Sequence, residues 1–162
     1  MQGRKLLHGG DYNPEQWLDR PDILAQDIDL MKKARVNTVT LGVFSWSVLE
    51  PEEGVFNLDW LADIIHNLYA NGIRTILATP SAARPAWLAH KYPEVRRMRA
   101  DRVRELYNRR QNYCYTSSIY REKVRIIDQK LARRFGDDPA VILWHISNAV
   151  SYTHLRAHET LM

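Results

Sequence analysis

Polar residues that could bind or react with a ligand lie in the carboxyl-terminal half of the chain. Asn148 follows directly on the apolar run VILWHIS, Val141 to Ser147, and precedes Ala149. Arg110 lies four residues before Cys114. Its guanidinium fork suits adjacent hydroxyl groups or a neighbouring carboxylate, although arginines on exposed loops are also common. Cys114 is the only cysteine, so the chain can form neither an internal disulfide nor, from cysteine alone, a closed zinc site with about four ligands.

The composition indicates one ordinary globular domain. The chain has 162 residues, 45% of them hydrophobic, with charges of both signs, which argues against a disordered or membrane protein. The amino terminus, MQGRKLLHGGDYNP, has no long apolar segment after its basic residues. No later window approaches the roughly 20 apolar residues of a membrane span. We therefore expect a cytoplasmic protein without a membrane partner.

The net charge of +4 is concentrated in one stretch, VRRMRADRVRELYNRR, from Val95 to Arg110. Such a stretch could contact nucleic acid. Acidic residues interrupt it, however, and no stacking-aromatic or Gly-rich module accompanies it. A solvated loop is the favoured interpretation, and a small basic protein that binds nucleic acid is the weakest alternative.

The hydrophobic pattern predicts four βα units. Apolar, β-branched runs indicate strands, and apolar residues at helical spacing between caps and breakers indicate helices. The predicted strands are Leu6–His8, Thr38–Phe44, Arg74–Pro80 and Val141–Ser147; the predicted helices run from Asp22 to Arg35, from an Asp59 cap to Asn71 and from Thr116–Ser118 caps to Gly136. A long polar segment extends from Ser81 to Tyr115.

Strands that alternate with helices, without hairpin signals between them, predict a parallel sheet. A small open doubly wound sheet fits this pattern, and so does the first half of an eight-stranded barrel, which typically takes about 250 residues. The first loop has Gly9 and Gly10 followed by DYNP, so it lacks a GxGxxG or GxxxxGK(S/T) phosphate cradle. We therefore predict an α/β fold consisting of the first four βα units of a (β/α)8 TIM barrel, left incomplete.

Several long strings carry a resemblance to a known family. They are GGDYNPEQW, FSWSVLEPEEGVFNLD, ATPSAARPAWLAHKYPEV, RRQNYC, SSIYREKV and WHISN. Together they are similar to the amino-terminal half of a family 42 glycoside hydrolase, and the similarity runs from about Leu6 to Asn148. The resemblance implies a retaining β-galactosidase that hydrolyses terminal non-reducing β-D-galactosides on a (β/α)8 barrel.

The resemblance also implies roles for individual residues. Asn148 matches an asparagine that binds the sugar near its 2-hydroxyl, and Arg110 matches an arginine that contacts the galactosyl unit. The next position should be the general acid/base Glu, but this chain has Ala149. The nucleophile would come from a later strand. A retaining mechanism needs both carboxylates, about 5–5.5 Å apart, so the chain itself is expected to be inactive.

Other implications of the resemblance concern cofactors and assembly. Cys114 matches the first cysteine of a zinc cluster that some family members possess, with the other ligands beyond position 149. An unmetallated thiol is the favoured interpretation here, and no cofactor is required for the reaction. The full-length parent protein is expected to be a homo-oligomer, specifically a trimer.

The remaining candidates are aromatic, acidic and histidine side chains. Aromatic faces at Trp46, Trp87 and Tyr12 could stack on galactose, although large aromatics are more often core. By the resemblance, Asp11, Glu15 and Glu50 are not catalytic, and we expect loop hydrogen bonds and helix caps from them. His8 and His145 are expected inside the barrel.

The segment 149–162 has neither helical nor strand periodicity. Its string VSYTHLRAHET resembles a translated sequencing adaptor of the transposon type, and a Glu codon joined to that adaptor would become an alanine codon. We therefore divide the chain into residues 1–148, the half-barrel, and residues 149–162, a non-native tail. The alternative is a real protein that is a non-catalytic, galactoside-binding half-barrel.

Overall fold

The computed structural model describes residues 6–99, 101–106 and 112–148. Four strands in these ranges form one parallel sheet in the order β1-β2-β3-β4. The strands are β1 (Asp11–Tyr12), β2 (Thr38–Leu41), β3 (Arg74–Ala78) and β4 (Val141–His145); the helices are α1 (Pro21–Lys33), α2 (Trp46–Leu49), α3 (Asp59–Ala70), α4 (Ala86–Lys91) and α5 (Ser118–Phe135). No helix in the described ranges has both the length and the apolar character needed to cross a bilayer.

The three long helices follow the sequence signals closely. Helix α1 has Pro21 at its first position, where a fixed φ and a missing N–H cost nothing. Helix α5 starts after Ser117, whose hydroxyl accepts the Tyr120 amide at 3.3 Å, and ends at Gly136. Asp59 was predicted as a cap, but it is the first residue of α3, with Leu58 at the cap position. The predicted helices are therefore confirmed, apart from that shift and the end of α1, which lies at Lys33 rather than Arg35.

One apolar core joins the sheet to these helices. Leu41 on β2 and Leu77 on β3 are completely buried, and so are Leu61 and Ile65 on α3. Ile127, on α5, belongs to the same cluster. The inner strands and the faces of two helices thus form a continuous hydrophobic core, as expected where helices cover a parallel sheet.

The first strand was predicted at Leu6–His8, and this is wrong, because the strand lies at Asp11–Tyr12. Residues 6–10 run beside the start of β2 without regular pairing. The His8 carbonyl accepts the amides of Asn37 and Thr38 at 2.9 and 3.3 Å. A Cβ on Gly9 would lie 1.7 Å from the Thr38 carbonyl oxygen, so only glycine permits this approach.

The two histidines predicted inside the barrel have different environments. His8 is exposed in the open sheet, and its interior position in a closed barrel stays a prediction. The reason for the exposure is the same irregular entry to the sheet, which leaves residues 6–10 on the surface. His145, the last residue of β4, is half-buried. Its exposure follows from its place on an outer strand, which has one neighbouring strand in the sheet.

The polar segment from Ser81 to Tyr115 contains more regular structure than its sequence predicts. It includes helix α4 and two isolated antiparallel bridges, Arg96 with Tyr113 and Met98 with Arg104. The Arg104 guanidinium donates to the carbonyls of Glu94 and Arg96 at 3.0 and 3.1 Å. Part of the basic stretch is therefore folded back on itself, and most of its described residues remain exposed to solvent.

Candidate functional site

The carboxyl ends of the strands bring the candidate residues to one edge of the sheet. Strand β3 is followed by Thr79, and β4 is followed by Ile146, Ser147 and Asn148. Because all four strands are parallel, their carboxyl ends lie on the same side, which is where α/β sheets and barrels bind ligands. Asn148 is half-buried there. Asn148 therefore lies three residues beyond the end of β4, and its role as a sugar contact stays a prediction.

A hydrogen bond between the residues that follow β3 and β4 shapes the turn that carries Asn148. The Thr79 amide donates to the His145 carbonyl at 3.0 Å and continues the ladder. One step later, the Ser147 amide donates to the Thr79 side-chain Oγ1 at 2.9 Å. Ser147 has φ +59°, a left-handed conformation that is uncommon for residues other than glycine, asparagine and aspartate. The chain therefore leaves the sheet at Ser147, immediately before Asn148.

The loops after β1 and β2 contribute a half-buried carboxylate. Burial raises the pKa of Glu15, and the nearby backbone amide and Ser45 hydroxyl offset this only in part. Glu15 Oε2 and Asn13 Oδ1 are buried without a hydrogen-bond partner within the described residues. Asp11, by contrast, is exposed.

Glu50 makes the loop hydrogen bonds that its position after the second strand predicts. Its carboxylate is buried and accepts Trp46 Nε1 at 2.8 Å and the Gly54 amide at 2.9 Å. Its backbone carbonyl accepts Trp87 Nε1 at 2.8 Å. One residue thus connects α2, the turn after it and α4. The role is structural, since the carboxylate is buried and each of its oxygens accepts a hydrogen bond.

The aromatic candidates differ in their exposure. Trp46 is completely buried in the core, so the interpretation of Trp46 as a sugar-stacking wall is wrong. Trp87 is half-buried against the same core. Tyr12 is half-buried and donates its hydroxyl to Asp27 Oδ2 at 3.1 Å, and burial, with Asp27 adding to it, raises its pKa well above the usual range.

Arg110 and Ala149 lie outside the described residues, and so does the segment 149–162. Cys114 is half-buried, and its Sγ lies 3.1 Å from Thr116 Oγ1. Across residues 6–99, 101–106 and 112–148, no three His, Cys, Asp or Glu side chains come close enough together to hold a metal ion. A closed zinc site around Cys114 is therefore not supplied by the described part of the chain.

Sequence reasoning did not identify Thr79 as part of this site. Thr79 lies in the run RTILATP, which reads as an ordinary strand end. Its contact with Ser147 spans 68 positions of sequence. Local periodicity carries no signal for such a pairing, because it depends on which strands are neighbours in the sheet.

A parallel sheet of βα units in the strand order β1-β2-β3-β4, with polar groups at the carboxyl ends of its strands, is typical of the class of α/β barrels and their fragments. The sequence model of glycoside hydrolase family 42, the β-galactosidases, matches residues 11–160 of this chain. The chain therefore belongs to that family, and the resemblance inferred from its motifs is confirmed.

Named relatives support this assignment. The chain is similar to β-galactosidase GalA of Bacillus licheniformis, with 60% identity over 143 residues, and to GanA of Bacillus subtilis, with 59% identity. Each match covers 88% of this chain but 21% of the relative. A solved GH42 β-galactosidase from G. stearothermophilus matches with a TM-score of 0.88 and 59% identity over 91% of this chain and 22% of the other.

The chain thus spans about a fifth of the length of these relatives. Its four parallel strands match the amino-terminal part of their fold. The prediction of an incomplete (β/α)8 barrel, formed by its first four βα units, is confirmed.

Proposed function

We propose that this chain is the amino-terminal part of a retaining β-galactosidase whose full-length parent hydrolyses terminal non-reducing β-D-galactosides. The observation that carries the proposal is the position of Asn148, three residues after β4, at the ligand-binding edge of a sheet from the β-galactosidase family. A carboxamide offers both donors and an acceptor, which suits vicinal sugar hydroxyls. Arg110 adds a planar fork of N–H donors for the same galactosyl unit.

The proposal separates binding from hydrolysis. Proton transfer to the leaving oxygen requires a carboxylic acid, and nucleophilic attack at the anomeric carbon requires a second carboxylate about 5–5.5 Å away. Ala149 stands where the family resemblance places the first carboxylate, and its methyl group can neither donate nor accept a proton. This chain would therefore bind a galactoside weakly and leave its glycosidic bond intact.

Ligand-observed saturation-transfer NMR with methyl β-D-galactoside tests the binding step. We expect saturation transfer to the sugar from the unmodified chain and its loss in Asn148→Ala. Asn67→Ala is the matched control, because Asn67 is exposed on α3 and its side chain contacts Asn71. Equal signals from all three proteins, or no signal from the unmodified chain, would contradict the role of Asn148.

Nitrophenyl β-galactoside hydrolysis tests the missing chemistry. We expect no turnover by the unmodified chain, and none by Ala149→Glu, because one carboxylate cannot complete a retaining mechanism. Turnover by that single variant would refute the proposal that the nucleophile lies outside this chain.

The boundary between residues 148 and 149 belongs to the same proposal. We propose that segment 149–162 is non-native and that the parent protein has glutamate at position 149. Sequencing the source DNA across codon 149 checks this. An open reading frame that continues with a glutamate codon supports it. A genomic Ala-Val-Ser-Tyr sequence would instead favour a non-catalytic, galactoside-binding half-barrel protein.

Further parts of the proposal concern the parent protein. We propose that it is a cytoplasmic homotrimer without nucleic-acid or membrane partners. We also propose that its reaction needs no cofactor and that Cys114 takes part in a structural zinc cluster there. Sedimentation, cell fractionation and metal analysis of the full-length protein would check these points. Zinc at less than stoichiometric amounts, together with unchanged activity in Cys114→Ser, would remove the cluster from the proposal.

A further inference from the structure

We propose that Thr79 is a positioning residue for the galactoside site, because its hydroxyl fixes the turn that presents Asn148. The inference rests on the proposed function of Asn148 as a galactosyl contact. It adds a residue from a neighbouring strand that touches no substrate and acts through the backbone of Ser147.

In the hydrogen-bond pattern, the Thr79 side-chain hydroxyl replaces a backbone carbonyl as the acceptor of the next bond between the two segments. In a parallel ladder, a residue donates its N–H to one position on the neighbouring strand and accepts at its carbonyl from two positions further on. Thr79 donates to the His145 carbonyl at 3.0 Å, so the next bond in the ladder would run from the Ser147 amide to the Thr79 carbonyl. The Ser147 amide instead donates to the Thr79 hydroxyl at 2.9 Å.

This exchange coincides with a change in backbone conformation. Ser147 has φ +59°, and a left-handed serine is held only where its surroundings favour it. The described residues contain two further non-glycine positions of this kind, Arg35 and Arg102. Neither follows a strand of the sheet at its carboxyl end. Ser147 therefore combines an uncommon backbone conformation with a place next to the proposed binding residue.

Burial and hydrogen bonds to neighbouring elements hold Thr79 in place. Thr79 is 6% exposed, so bulk water cannot readily replace its hydroxyl as the acceptor. Its amide is bonded to β4, and the short 3-10 turn that follows it, Pro80–Ala82, is connected to α5 through a 2.8 Å hydrogen bond from the Tyr120 hydroxyl to the Ser81 carbonyl. An acceptor fixed at this point can define the position of the Ser147 amide, and through it the direction in which the chain continues to Asn148.

Two substitutions separate the hydroxyl from the packing of the side chain. Thr79→Val keeps the branched shape and removes the acceptor, whereas Thr79→Ser keeps the acceptor and removes a methyl group. Hydrogen exchange read by mass spectrometry on the peptide that contains Ser147 reports on the hydrogen bond directly. We expect Thr79→Val to exchange one amide of that peptide about tenfold faster or more, with the unmodified rate in Thr79→Ser.

Saturation transfer to methyl β-D-galactoside then tests the consequence for binding. We expect a signal reduced several-fold in Thr79→Val and retained in Thr79→Ser, with peptides from β2 and α3 exchanging as in the unmodified chain. If both variants exchange throughout like an unfolded chain, the hydroxyl has no specific role and the proposal is refuted. The same holds if Thr79→Ser behaves like Thr79→Val.

The two readouts distinguish failure of this inference from failure of the proposed function. No saturation transfer from the unmodified chain would overturn the galactoside role of Asn148, and with it the role of Thr79 in positioning a binding residue. Binding that survives in Thr79→Val, with unchanged exchange at Ser147, would overturn the role of Thr79 alone and leave Asn148 as the galactosyl contact.

Discussion

The inner and outer strands of the sheet have similar compositions but very different surroundings. Strand β3 reads RTILA and β4 reads VILWH, yet Leu77 in β3 is completely buried whereas Leu143 in β4 is 51% exposed. Just beyond β4, Ile146 is 69% exposed. At the opposite side, β1 has an exposed Asp11 and follows Leu6, which is 82% exposed.

This difference shows that strand sequence alone does not decide burial. An apolar strand in a parallel sheet expects neighbours on both edges and covered faces. Strands β2 and β3 have both neighbours, while β1 and β4 each have one. A closed barrel has no edge strands, so the exposed apolar residues at both edges are those that closure would protect.

The largest effect should come from truncating equivalent leucines on an inner and an outer strand. Leu77→Ala removes buried methyl groups and leaves a cavity, for an expected loss of about 2–5 kcal/mol in the free energy of unfolding. Leu143→Ala is the matched control, with an expected loss below about 1 kcal/mol. Urea unfolding followed by tryptophan fluorescence measures both. Equal losses would mean that β4 is covered in solution by something the isolated chain does not show.

A smaller effect on stability is expected from Asp128 on α5, a helix that combines buried apolar residues with a half-buried carboxylate. Its inner face buries Ile127, Leu131 and Phe135, while Asp128 is half-buried with an Oδ1 that has no hydrogen-bond partner in the described part of the chain. Burial raises the pKa of Asp128 to about 6. The folded state therefore binds this proton more tightly than the unfolded state does.

The free energy of unfolding should fall as the pH rises through the range in which Asp128 ionises. Stability associated with Asp128 is present below its ordinary pKa of 3.8 and is lost as the pH rises to about 6. We expect Asp128→Asn to be more stable than the unmodified chain at pH 7, by about 1 kcal/mol after solvent screening. At pH 3.5 the two should unfold at nearly the same urea concentration. A destabilised Asp128→Asn at pH 7 would mean that the carboxylate has a partner.

Most of the regular elements could be predicted from the sequence, because they depend on local patterns. Helices α1, α3 and α5 have caps and apolar residues at helical spacing, and β2 to β4 are compact β-branched runs. Helix α4 was missed because its six residues are too few to establish a period. The first strand was misplaced because the apolar pair Leu6 and Leu7 precedes the pairing segment and stays exposed.

The candidate site could be predicted only in part. The position of Asn148 follows from an apolar run that ends in a polar residue, and its role follows from the family resemblance. The contact between Thr79 and Ser147 depends on two distant segments becoming neighbours in the sheet. Likewise, the local sequence does not indicate that Trp46 is enclosed by the core and bonded to the buried Glu50.

An acid-sensitive interaction should distinguish the loops over the inner strands from the open edges. The Glu53 carboxylate, after β2, accepts hydrogen bonds from Lys91 and Tyr92 in the α4 region and from Lys123 on α5. These contacts, led by Lys123, lower the pKa of Glu53 to about 2. Its stabilising contribution is present above the ordinary pKa of 4.5 and is lost as the pH falls towards 2.

Glu53→Gln should therefore unfold more easily than the unmodified chain at pH 7, by less than about 1 kcal/mol because the ion pairs are near the surface. The difference should disappear between pH 4.5 and 2. Thermal unfolding across this range, with and without 1 M NaCl, measures it, since added salt screens exposed charges. A difference that persists at pH 2 would indicate lost packing rather than a lost ion pair.

The smallest effect on stability, and the sharpest test of the open edge, is expected from a charge placed on β4. Leu143→Lys changes a side chain that is already 51% exposed, so the free energy of unfolding should change by less than about 0.5 kcal/mol.

Self-association should change much more, because lysine on an edge strand opposes edge-to-edge pairing. Sedimentation velocity should show larger species for the unmodified chain and a shift towards monomer for Leu143→Lys. Lys130→Glu, on α5, where Lys130 Nζ lies over the Phe56 ring, should leave the distribution unchanged. A monomeric unmodified chain that unfolds cooperatively would contradict the view that the exposed leucine and isoleucine mark an unfinished barrel, and would require the β4 edge to be protected within the chain itself.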